Sequence, residues 1–151
     1  MVQKDLFGRN ITPKEHDEQA MFCQWLEWNK IKYYSVPNGF PITAILSKIE
    51  YYSKKNMLAI WVVKEIKIMI FSIIKKMKKE GLKKGVPDIC IPYHNKNYHG
   101  LYIELKRKSG GVLSSEQKEW KQHLEKSGYK VAVCKGFEVA KKEVADYFKI
   151  K

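Results

Sequence analysis

The chain is short of acids: 16 Asp and Glu stand against 29 Lys and Arg, leaving a net charge of +13 over 151 residues. An excess of that size points to a polyanionic partner, either nucleic acid or an anionic membrane surface. Long apolar runs are also missing. The nearest candidate, Met57 to Met77, is interrupted by Lys64, Glu65 and Lys67, which excludes a transmembrane span. Met1-Val2-Gln3-Lys4-Asp5 has no apolar core of the kind a signal peptide needs, so nucleic acid is the better partner, no membrane is expected and an intracellular site follows. Cysteine is scarce. Cys23, Cys90 and Cys134 cannot build a disulfide framework, and without a Cys-x-x-Cys pair a zinc site at Cys90, His94 and His99 lacks an anchor. His16 and His123 fall on helical patterns with no partner for a catalytic dyad. No internal repeat appears. With 44% hydrophobic residues, the chain is long enough for one domain with a proper core.

The informative stretch is Pro87-Asp88 followed by Glu104-Leu105-Lys106. Glu-x-Lys by itself carries little, since it also occurs at Glu65/Lys67, Glu116/Lys118 and Glu119/Lys121, all in helical patterns. The copy at 104 sits in a different setting. Residues 86–91 form a β-branched run, residues 101–106 alternate apolar and polar, and His94-Asn95-Lys96-Asn97 has turn composition. A hairpin centred on Lys96 sets Asp88 directly across from Glu104, with Cβ atoms about 4.5–5.5 Å apart. Two carboxylates so close repel one another unless a cation lies between them, and Mg²⁺ takes oxygens at about 2.0–2.1 Å. Glu104 and Lys106 share one face of their strand while Ile103 and Leu105 share the other. An ordinary salt-bridged pair on a solvated sheet face is the plain alternative.

Around this hairpin the pattern predicts α, β, insert, hairpin, α, β, α. Thr12-Pro13-Lys14-Glu15 reads as a helix start, with Thr12 as N-cap and Glu15 as the capping-box acid. The helix should run to about Lys30 with Met21, Phe22, Trp25 and Leu26 inward, and Glu18 falls on that stripe as a carboxylate aimed at the core. Residues 31–36 read as a strand closed by Pro37-Asn38-Gly39. A long amphipathic helix then ends at Gly81, with Ile66, Met69, Ile70, Ile73 and Met77 on one face, and could supply a partner interface. Ser114 caps a helix running to about Lys126, in which Gln117 is either the capping-box partner or a polar arm reaching the carboxylates. Residues 130–134 form a buried strand, and residues 137–149 a closing helix with Ala140, Val144, Tyr147 and Phe148 inward.

Taken in order, several stretches resemble the virus-type replication-repair nuclease (VRR-NUC) family, a branch of the PD-(D/E)xK nuclease superfamily. They are Glu15-His16-Asp17-Glu18-Gln19, Val36-Pro37-Asn38-Gly39, Gly81-Leu82-Lys83-Lys84-Gly85-Val86-Pro87-Asp88, Gly100-Leu101-Tyr102-Ile103-Glu104-Leu105-Lys106, Leu113-Ser114-Ser115-Glu116-Gln117 and Gly128-Tyr129-Lys130-Val131. The resemblance implies an α/β, restriction-endonuclease-like core: a small mixed sheet flanked by helices, as a single domain with an inserted helical segment at about residues 41–74. It further implies that Asp88, Glu104 and the Leu105 carbonyl hold Mg²⁺ or Mn²⁺ and that Glu18 completes the site. Lys106 would orient or activate the attacking water, and Gln117 matches the family's glutamine. Lys78, Lys79, Lys83, Lys84, Arg107 and Lys108 would hold DNA phosphates. Small stand-alone members resemble Holliday junction resolvases, so a homodimer acting on branched DNA is expected, with a flap, nicking or restriction-type nuclease and a non-catalytic DNA-binding module as rivals.

Overall fold

A computed structural model describes residues 14–36, 42–55 and 59–149. In chain order the elements are α1 (Glu15–Trp28), β1 (Tyr34–Ser35), α2 (Ile42–Lys54), α3 (Ile60–Lys79), β2 (Ile89–Ile91), β3 (Leu101–Lys106), α4 (Ser115–Lys126), β4 (Lys130–Lys135) and α5 (Phe137–Phe148). The four strands form one mixed sheet in the order β1-β2-β3-β4, antiparallel through the first three and parallel between β3 and β4. The described residues on either side of segment 37–84 make one compact unit, and those within it make a second.

Alternation along the strands divides the first unit into two faces. Ile89, Ile91, Leu101, Ile103, Leu105, Ala132 and Cys134 share the core face, where they meet Phe22 and Leu26 of α1 and Ala140, Val144 and Tyr147 of α5. Burial pushes the Cys134 thiol up to about 12, as befits a cysteine acting as a small hydrophobe. The opposite face carries Cys90, Tyr102, Glu104 and Lys106. Charged Glu104 and Lys106 are only 2% and 8% exposed, so this is not a solvated face.

The structure moves several expected boundaries. Thr12, Pro13, the Pro37-Asn38-Gly39 turn, Met57 and Leu58 lie outside the described residues. Helix α1 starts at Glu15, not earlier, with Lys14 as N-cap. The acid that reaches back to the cap backbone is Asp17, through a Lys14 N–H bond of 3.3 Å, so Glu15 is released from the capping role assigned to it. The buried positions of α1 are Glu18, Phe22 and Leu26 at successive four-residue steps. Met21, expected inward, is 49% exposed. The long helix expected to end at Gly81 is α3, which stops at Lys79, and a separate helix, α2, precedes it. In this second unit Val63 is buried, while Met69 and Ile73 of the apolar face stay exposed. No helix among the described residues is long and apolar enough to cross a membrane.

Candidate functional site

The hairpin register is the one the turn symmetry predicts. Ile89 pairs with Ile103, Cys90 with Tyr102 and Ile91 with Leu101, which carries Asp88, one residue before β2, opposite Glu104. Strand β2 is short because Pro87 has no N–H to continue the ladder. The Asp88 side chain takes over at that end: its Oδ2 accepts from the Leu105 N–H at 2.8 Å. The Lys106 carbonyl accepts from Gly136 on the β4 side. Because successive peptide groups alternate, the Leu105 carbonyl faces the other way, towards Asp88. Asp88, the Glu104 carboxylate and the Leu105 carbonyl therefore stand at one end of the hairpin.

Glu104 is the centre of the group. Its Oε1 accepts from Lys106 Nζ at 2.7 Å and also from Gln117 Nε2, while its Oε2 is buried with no hydrogen-bond partner. Burial pushes its carboxyl up to about 7, opposed by the Lys106 hydrogen bond and reinforced by the negative charges of Asp88 and Glu15. Gln117 does both of the jobs its spacing allowed. Its Oε1 accepts from the Ser114 N–H at 3.0 Å and its N–H donates to Ser114 Oγ at 3.2 Å, closing the capping box. That leaves the amide nitrogen for Glu104. The first turn of α4 is held against the approach to Asp88 by Gly85, at φ +82°, where an added Cβ would lie 2.5 Å from the Glu116 backbone carbonyl carbon.

Glu18 is 4% exposed, so its inward position was legible, but it is occupied elsewhere. Its Oε2 accepts from the Phe137 N–H at the start of α5 at 2.6 Å. Its Oε1 has no hydrogen bond and takes its countercharge from Lys108, 3.0 Å away. Helix α1 packs on the core face of the sheet, whereas Glu104 and Lys106 project from the other, which separates Glu18 from them. The α1 carboxylate that Glu104 does feel is Glu15, at the first residue of the helix. Sequence reasoning set Glu15 aside because it explained that residue as a cap. Had the cap been placed at Lys14, Glu15 would have been a free acid one turn before the buried stripe.

Among the described residues no three His, Cys, Asp or Glu side chains converge on one point, which also removes the Cys90, His94 and His99 grouping. The donor set at the hairpin is two carboxylates and a backbone carbonyl. That suits Mg²⁺, which commonly takes one or two carboxylates and keeps several waters. The orphaned Glu104 Oε2 is the atom such a cation would satisfy. Of the expected phosphate-binding residues, Lys108 is committed to Glu18. Lys78 and Lys79 end α3, and Lys83 and Lys84 precede Gly85 in the chain.

The VRR-NUC domain family matches residues 44–138. The match starts inside the segment expected to be an insert. It takes in Asp88, Glu104, Leu105, Lys106 and Gln117, and leaves α1 with Glu15 and Glu18 outside. A solved structure described as a VRR_NUC domain protein aligns with a TM-score of 0.63 at 23% identity, over 94% of this chain and 92% of its own. That similarity speaks to the fold. No curated protein matches the chain.

Proposed function

The chain belongs to the VRR-NUC domain family, a nuclease-type family, and on that premise we propose that it is a divalent-metal-dependent DNA endonuclease of the PD-(D/E)xK type. The observation that carries this reading is the buried Glu104, in register with Asp88 and with one oxygen left orphaned. Asp88, Glu104 and the Leu105 carbonyl would hold Mg²⁺ or Mn²⁺. Bound there, the ion would supply positive charge to the scissile phosphate and acidify a water. Lys106 favours the ionised form of Glu104 through its 2.7 Å contact and sets an ammonium where the transition state gathers negative charge. Gln117 fixes the Glu104 rotamer from the other side, and Glu15 adds negative potential that favours a cation. Glu18 and Lys108 tie α1 to the start of α5 and support the site from outside.

The proposed substrate is branched DNA, cut by a homodimer in the manner of a Holliday junction resolvase, since symmetric cleavage of two strands needs two sites. Exposed Trp61, Met69, Phe71 and Ile73 on α3 supply apolar surface that a second copy could cover. Light scattering at micromolar concentration should report a dimer, and a clean monomer counts against junction resolution. A cleavage panel of four-way junctions, flaps and linear duplex should favour the junction. Preference for a flap or duplex moves the reading to a flap, nicking or restriction-type enzyme on the same scaffold.

A further inference from the structure

On the Glu104 face of the sheet, one row nearer the hairpin turn, lies a run of aromatic rings that the nuclease reading does not use. Tyr34 of β1 pairs with Cys90 of β2, Cys90 with Tyr102 of β3, and Tyr102 with Val131 of β4. The next row on the same face holds Asp88 and Glu104, so rings and carboxylates are two residues, about 6.7 Å, apart along the strands. Tyr129 meets Tyr102 edge to face at 5.5 Å between centroids, and His99 meets Tyr129 at 5.8 Å. Two glycines make room for this run. A Cβ on Gly100 would lie 3.3 Å from the Tyr129 ring, and one on Gly128 would lie 2.6 Å from the His99 ring.

The planes of Tyr102 and Tyr129 meet at 77°, so these two rings pack edge to face and do not form one flat surface. The Cys90 side chain beside Tyr34 raises its phenol above the ordinary tyrosine range, with Tyr102 opposing the rise and burial adding to it. Burial, together with the bonds to Tyr34 and Cys90, pushes Tyr102 up as well. Tyr34 remains 51% exposed. In this unit α1 and α5 pack on the core face, while α4 packs on β4 and reaches the opposite face at Glu104 through Gln117.

We propose that the exposed Tyr34, in one row with Tyr102, is a stacking platform for an unpaired nucleobase adjacent to the phosphate held at Asp88 and Glu104. The inference rests on the nuclease reading and adds a substrate preference to it. One row of the sheet matches the reach of one nucleotide along its backbone, so the neighbouring base arrives over the rings. A base inside a duplex is already stacked on both sides and has no free face to offer. At a four-way junction the platform would take a base freed from pairing at the branch point, so it favours DNA that can present an unpaired nucleotide beside the cut, and base identity matters little because every base has a π-face.

The test is binding, made in the Asp88→Ala background so that no substrate is cut. Fluorescence anisotropy would compare a short single-stranded thymidine oligomer, a fully paired duplex, and a duplex with one unpaired nucleotide that is either intact or abasic. Tyr34→Leu, a surface change that circular dichroism should find folded, is expected to weaken the single strand and the intact unpaired site roughly tenfold. The paired duplex should change less than twofold, and Tyr34→Trp should restore binding. The abasic nucleotide should cost the parent protein the same tenfold and cost Tyr34→Leu nothing further, because both changes remove one contact. Equal losses on all DNAs, or additive losses from the variant and the abasic nucleotide, overturn the platform. Failure of the nuclease reading would appear separately, as absence of cutting by the otherwise unaltered protein with these binding differences intact.

Discussion

At the scale of single residues, the site is a question of which oxygens are satisfied. Glu104 was legible because a turn centred on Lys96 sets its cross-strand partner by symmetry, and the observed pairing keeps that register. Glu18 was half legible. A four-residue step places it among the buried positions of α1, but helical spacing does not reveal which face of the sheet the helix covers. With its carboxyl pushed up to about 7, Glu104 should be largely protonated at pH 6 and ionised at pH 8. A proton and a cation compete for it, so Mn²⁺ measured by calorimetry should bind about tenfold tighter at pH 8 than at pH 6. An affinity flat across that range would mean that Glu104 is not a ligand. Glu15→Gln should weaken Mn²⁺ binding, whereas Glu18→Gln should lower the melting temperature and leave the affinity within about twofold, since its oxygens serve Phe137 and Lys108.

At the scale of elements, what positions the carboxylates is a strand that ends early and a helix that begins beside it. Pro87 stops the β2 ladder, the Asp88 side chain accepts from the Leu105 N–H, and α4 supplies Gln117 from its first turn. All of this could be read from Pro, Ser-x-x-Gln and alternating residues. The division between α2 and α3 could not, because Lys54 to Ala59 contains neither Gly nor Pro and apolar residues resume at Met57. Gly85 couples the two elements, and its positive φ and close approach to Glu116 both forbid a side chain. Gly85→Ala should therefore cost about 2 kcal/mol or more in chemical denaturation. It should also slow cleavage beyond what its stability loss explains, by displacing Asp88 from Glu104. A variant that is destabilised but cuts at the parent rate would separate this contact from the site.

At the scale of the whole molecule, a +13 chain carries a buried carboxylate, Glu104, facing the half-buried Asp88 across a hairpin. The surplus of lysines was plain from composition, and it explains attraction to DNA without saying where the strand is cut. What the composition could not convey is that Glu104 and Lys106 would be buried together, because burial of a charged pair depends on what packs over it and not on its own spacing. The account's central claim is that Asp88 and Glu104 form a metal-dependent hydrolytic centre. Cleavage of a panel of branched and linear DNAs by the protein and by Asp88→Ala, in Mg²⁺ and in Mn²⁺, tests it most directly. The account predicts that the protein cuts at least one of these DNAs only with metal, and that Asp88→Ala binds the same DNA without cutting it. No cutting of any DNA in either metal, or undiminished cutting by Asp88→Ala, would contradict it.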